Sequence, residues 1–191
     1  SAEVLQALLE KYDFRLHRIE ALYHENLTVS STKIRAALEE GHLTKANNML
    51  GYPYLFMAKI IDGLKIGRKL GFPTANLDIK EYEKIIPKQG VYAVMVDIDG
   101  EFHKGVLNIG YRPTLNLPDS QLSIEVHLID FDGDLYGKTV VVFFMERIRD
   151  DIKFNSIDDL SKQIESDVLK TKELFSAHKE WESLERNLFS D

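Results

Sequence analysis

Apolar residues change their spacing twice along this chain, and the two changes divide it into three parts. Phe14, Leu16 and Ile19 suit a short strand, after which helical spacing takes over. Ser30-Ser31-Thr32 offers hydroxyls to the free N–H groups that open a helix, and Ile34, Ala37 and Leu38 then share one face up to Gly41. A second helix is predicted from Leu43 to Leu50, stopped by Gly51 with Pro53 close behind. That punctuation sets an expected domain boundary between residues 1–53 and 54–191.

From Tyr54 the period falls to two, or the apolar runs become continuous. Residues 54–62, 90–98, 102–109, 121–130 and 139–146 read as strands. Asp99-Gly100 and Asp132-Gly133 are turn signals between them, and connections this short favour antiparallel pairing. Five or six closely spaced strands fit a small barrel or a sandwich, and the barrel is the preferred reading. After Asn155 the helical period returns behind Ser156, a cap residue with Asp159 three positions on. Ile157, Leu160, Ile164, Val168, Phe175, Trp181 and Leu188 form a stripe expected to pack on the barrel, with a break near Ala177-His178. The expected fold class is mainly β with flanking helices (α+β).

Composition narrows the class. Hydrophobic residues make up 44% of 191 and charged residues 29%, enough for a substantial core. Cysteine is absent, which excludes disulfides and thiolate metal sites and suits a reducing, cytoplasmic setting. No apolar run approaches the roughly 20 residues that span a bilayer, and Ser1-Ala2-Glu3 opens no export signal, so no membrane role is expected. A net charge of -7 argues against a general nucleic-acid binder, because such proteins neutralise phosphates with a basic face. A small anion remains possible where positive charge is local.

Local positive charge occurs once with the right company. Gly63, Gly67 and Gly71 stand at four-residue intervals among Lys65, Arg68 and Lys69, so backbone N–H groups and cations could cradle a phosphate. Alone the loop reads as an ordinary turn, since it is neither the Walker nor the dinucleotide pattern. It continues into Pro73-Thr74-Ala75-Asn76, where an extended backbone puts a hydroxyl and an amide oxygen on one side, ligands of the kind Mg²⁺ prefers. Isolated, that pair is turn chemistry. In Ile124-Glu125-Val126-His127-Leu128, alternation turns Glu125 and His127 away from the core. A carboxylate on a rigid strand could take a proton from an attacking alcohol; it could equally be a solvated strand face. His127 has no metal-ligand partner at useful spacing. Asn108 to Thr114 leaves a strand for a loop in which Arg112 could reach a phosphate.

Taken together and in order, these segments resemble the riboflavin kinase family. The resemblance rests on Gly71-Phe72-Pro73-Thr74-Ala75-Asn76-Leu77, Gly90-Val91-Tyr92, the run Gly105 to Thr114, Glu125-Val126-His127 and Asp134-Leu135-Tyr136-Gly137, and covers about residues 54–175. It implies a six-stranded Greek-key antiparallel barrel with a long C-terminal helix. It also implies ATP phosphates at Gly63, Lys65, Gly67, Arg68, Gly71 and Pro73, with Asn108 and Arg112 nearby, and Mg²⁺ contacted by Thr74 and Asn76. Glu125 is then the general base, and riboflavin lies across the barrel mouth. Two departures stand out: Asp62-Gly63 where many members have His-Gly, and Ile66 where a basic residue or leucine is common. Val29-Ser30-Ser31-Thr32-Lys33-Ile34-Arg35 is similar to the last motif of the FMN adenylyltransferase module of bifunctional FAD synthetases. The implied partners are ATP, ADP, riboflavin and FMN. The expected activity is riboflavin phosphorylation without adenylylation to FAD, because the nucleotide-binding sheet of that module is not in the chain. The rival readings are a flavin- or nucleotide-binding barrel without catalysis, and a structural barrel that docks proteins.

Overall fold

Asp99 (φ 57°) and Gly100 (φ 90°) are both left-handed, the type I′ geometry that matches the twist of paired strands. The chain therefore doubles back sharply, and the pairing runs without a break from Ile98↔Glu101 to Gly90↔Ile109. The computed structural model describes residues 23–24, 27–61, 71–79, 84–112, 121–154 and 156–183. The strand expected around Phe14, Leu16 and Ile19, the loop with Gly63, Lys65, Gly67 and Arg68, and Leu188 lie outside the described residues.

Among the described residues a small hairpin, β1 (Tyr23–His24) and β2 (Leu27–Thr28), comes first. It is followed by α1 (Ser31–Glu40) and α2 (Leu43–Leu50), then by β3 (Leu55–Ile61), β4 (Ala75–Asp78), β5 (Gly90–Ile98), β6 (Glu101–Arg112), β7 (Gln121–Leu128) and β8 (Thr139–Arg149). The C-terminal helix α3 (Ile157–Ala177) leads into a 3₁₀ turn at Lys179–Ser183, the break expected near Ala177-His178. Strands β3-β4-β7-β6-β5-β8 close into a six-stranded barrel in which every pairing is antiparallel. Because β8 returns to lie beside β5, the order β8-β5-β6-β7 is a Greek key.

The strands differ from expectation at their ends. β6 and β8 run further, to Arg112 and Arg149, and β7 stops at Leu128 instead of residue 130. The apolar pattern fades at Glu146-Arg147, yet pairing continues through Tyr92↔Arg147 and Val91↔Arg149 across register shifts in the β5–β8 ladder. Backbone pairing outlasted the side-chain signal.

Phe56, Ala58 and Ile60, Tyr92, Val94 and Val96, and Val140, Val142 and Phe144 fill the barrel from alternate positions of three strands. Leu38, Leu43, Ala46 and Met49 of α1 and α2 belong to the same buried cluster, so these helices pack against the barrel core. Asn47 joins them to the wall: its amide donates to the Phe144 carbonyl (3.0 Å) and its oxygen accepts from the Tyr54 N–H (2.8 Å). Both helices end on left-handed glycines, Gly41 and Gly51, and the Ser30 hydroxyl caps α1 by accepting from Lys33 N–H.

Every residue of β5 is buried, because its outward positions are covered too. Val91, Ala93 and Met95 join Phe143, Met145 and Phe175 in a second cluster under α3. The expected apolar stripe of α3 needs correcting. Ile157 is 64% exposed, and the most buried positions of the helix are Asp167, Thr171 and Phe175. A fork of hydrogen bonds explains this: Arg149 of β8 grips Asp167 through Nε and a second nitrogen at 2.7 to 3.1 Å, and Gln163 also donates to that carboxylate.

Candidate active site

Three strands line up their outward polar positions. Asn76 of β4 is the register partner of Glu125 on β7, and Glu125 is the register partner of Asn108 on β6. Alternation produces this row: the neighbours Ala75, Leu77, Ile124, Val126, Leu107 and Ile109 are buried in the barrel core, which turns the intervening residues outward.

Glu125 is held from two sides. The Thr74 hydroxyl donates to its Oε2 at 3.2 Å and the Ser123 hydroxyl to its Oε1 at 3.1 Å. Two positions further along the same row, His127 fixes the approach to Thr74. Its Nδ1 lies 2.9 Å from the Pro73 carbonyl, and Phe72 packs edge-on against its ring at 5.5 Å. Gly71 starts this approach with φ +81° and open space around it, so the left-handed backbone, not crowding, calls for glycine.

On β6 the half-buried Asn108 has its Oδ1 shut away from solvent with no hydrogen-bond partner among the described residues, while its Nδ2 lies near Gly110. A side chain at Gly110 would come within 2.9 Å of the Asp151 carboxylate and push it aside. Arg112 closes β6 opposite Gln121, four residues beyond Asn108 and so about 13 Å along the strand.

Beside Thr74 the end of the barrel opens into a cavity of about 680 Å³. Ile60, Ala75, Val126 and Leu128 line its apolar side, and Asp132, Asp134 and Tyr136 of the β7–β8 loop line its polar side. A volume of that size suits a small organic ligand. The structure thus brings together Pro73, Thr74, Asn76, Asn108 and Glu125, with Gly71 two residues before Pro73. Gly63, Lys65, Gly67, Arg68 and the side chain of Arg112 are outside the described residues. Sequence reasoning missed Ser123. Its signal was present, two residues before Glu125 on the same face, but a serine on a polar strand face ordinarily meets only solvent.

A model of the family "Flavokinase: Riboflavin kinase" matches residues 50–175. The chain belongs to the riboflavin kinase family. The match includes all the row residues, from Thr74 to Glu125, and ends within α3. Among relatives, the chain is 42% identical over 175 residues to the bifunctional riboflavin kinase/FMN adenylyltransferase of Haemophilus influenzae, covering 91% of this chain and 56% of that protein. It is 43% identical over 148 residues to the protein of the same description from Listeria monocytogenes, covering 78% and 46%. A crystal structure of a macrolide-efflux protein from Streptococcus pneumoniae shares the fold with a TM-score of 0.74 and 32% identity, over 87% of this chain and 54% of that one. The chain thus spans about half the length of the bifunctional relatives it matches. Among the described residues, no helix is long and apolar enough to cross a membrane.

Proposed function

We propose that this chain transfers the terminal phosphoryl group of ATP to the 5′-hydroxyl of riboflavin, giving FMN and ADP. The observation that carries the reading is Glu125, a carboxylate on a rigid strand with Asn76 as its register partner, which accepts a hydrogen bond from Thr74, a residue that also lines a ligand-sized cavity. Glu125 accepts the proton of the 5′-hydroxyl as that oxygen attacks the γ-phosphorus; the new O–P bond forms while the bond to the ADP oxygen breaks. The glycine loop with Gly63, Lys65, Gly67 and Arg68, running into Gly71 and Pro73, supplies N–H groups and cations for the phosphates.

Thr74 and Asn76 offer a hydroxyl and an amide oxygen from one side of an extended segment, a donor set that fits Mg²⁺. When bound, the ion neutralises phosphate charge; the protein's own share is orientation. Asn108 and Arg112 border the row on β6 and complete the phosphate and flavin surroundings in this reading. The reading assigns residues 54–191 to the kinase and 1–53 to a remnant of the adenylyltransferase module. It also places the enzyme in the cytoplasm with its nucleotide.

Incubation of the purified chain with riboflavin and Mg-ATP, followed by chromatography that resolves FMN from FAD, tests this. FMN without FAD is expected. Binding of ATP or riboflavin without any FMN would replace the kinase by a binding module, and FAD would overturn the assignment of residues 1–53.

A further inference from the structure

The two hydroxyls on Glu125 are not equivalent. Thr74 precedes β4, and in the proposed reaction its oxygen also serves the metal. Ser123 sits on β7 itself, two residues from Glu125 on the same face, in a strand paired on both sides by β4 and β6. Its register partner is Gly110, which has no side chain to compete for the space. Ser123 thus holds Oε1 from the same rigid element that carries the carboxylate, whatever happens at Thr74.

We infer that Ser123 is a positioning residue for the phosphoryl transfer: its hydroxyl fixes the rotation of the Glu125 carboxylate so that a lone pair stays aimed at the acceptor hydroxyl. Thr74 holds only the other oxygen, Oε2, so losing the Ser123 hydroxyl removes the bond that fixes Oε1, and misplacement by about 1 Å costs on the order of 100-fold in rate. This inference rests on the kinase reading. In this role Ser123 acts through Glu125, so its loss is expected to fall on turnover and not on affinity.

The test measures riboflavin phosphorylation for the wild type, Ser123→Ala, Ser123→Thr, Glu125→Gln and the double variant Ser123→Ala/Glu125→Gln, each with its melting temperature. The expected result is a kcat lowered roughly 10- to 100-fold in Ser123→Ala with KM for riboflavin and ATP unchanged, and recovery in Ser123→Thr, which keeps the hydroxyl. In the Glu125→Gln background, removing Ser123 should cost nothing further, because a residue that acts through another has no effect once that other is gone. A kcat for Ser123→Ala within about twofold of wild type, a loss that adds in full to that of Glu125→Gln, or a loss confined to KM overturns the role. Wild-type chain that forms no FMN overturns the kinase reading and this inference with it, an outcome distinct from an active enzyme indifferent to Ser123.

Discussion

The barrel wall has two outer faces built by the same alternation and put to opposite uses. Across β5 and β8 the outward residues are Val91, Ala93, Met95, Phe143 and Met145, and helix α3 covers them. Across β4, β7 and β6 the outward row is Asn76, Glu125 and Asn108, flanked by Ser123 and His127. Both faces follow the same alternation; the chemistry of every second residue sets their use. The apolar face binds its own helix, and the polar face holds a row of hydrogen-bonding groups in fixed register. Even the covered face has a polar lock, the Arg149–Asp167 pair, with side chains 20% and 4% exposed.

Breaking that lock should have the largest effect. Asp167→Ala leaves the Arg149 guanidinium without its partner in a mostly buried site, and removing one member of such a pair costs about 3–5 kcal/mol. Urea unfolding should show that loss, while the fraction still folded keeps its kcat. Replacing both members, Arg149→Met with Asp167→Leu, should recover most of the stability, since a well-packed apolar pair avoids the unpaired charge. If Asp167→Ala unfolds like wild type, the pair contributes nothing and α3 is held by Phe175 and its apolar neighbours.

The opposite face should respond in the opposite currency. Glu125→Gln keeps size and shape, so the midpoint of urea unfolding should hardly move, while FMN turnover falls roughly 100-fold or more. Wild-type-like turnover in this variant would remove Glu125 as the base. Asp167→Ala and Glu125→Gln together separate stability from chemistry on two faces of one barrel.

A third contrast lies inside the barrel. Burial pushes the Tyr54 phenol up to about 12 from its ordinary 10.0, and its hydroxyl donates to the Ile85 carbonyl at 2.6 Å. A raised folded-state value means that the folded chain holds this proton more tightly than the unfolded chain. The stability tied to it is therefore complete below pH 10 and is lost as pH rises toward 12. Absorbance titration of phenolate in the wild type and in Tyr54→Phe should differ by one phenol that ionises near pH 12 or on unfolding. A Tyr54 phenol that ionises at its ordinary 10.0 would mean that water reaches it in the folded chain.

Where the sequence was legible, the signal was local. β5 reads as one continuous apolar run because both its faces are buried, and the outward turn of Glu125 follows from alternation alone. Asp99-Gly100 announced its turn. The unread features join distant residues: Arg149 with Asp167, and Asn47 with Phe144. A charge on a helix, or an asparagine near a helix end, looks like a solvent-facing residue until the partner is known. Ser123 falls between, since its spacing from Glu125 was visible but nothing local said that its hydroxyl would face the carboxylate.

The smallest effect tests whether local signals carry energy as well as information. Ser156 caps α3: its Oγ accepts from Asp159 N–H at 3.1 Å and donates to the Asp159 carboxylate at 2.7 Å. Asp158 and Asp159 add negative charge in the first turn, where the helix dipole favours it. The cap is exposed, so its removal creates no cavity and buries no charge. Ser156→Ala should therefore cost only about 1 kcal/mol, against several for Asp167→Ala, and Ser156→Asp should restore most of it. A loss as large as that of Asp167→Ala would mean that the start of α3, not its buried pair, holds the helix to the barrel. No loss at all would mean that the pair and Phe175 fix the helix so firmly that its first turn forms with or without a cap.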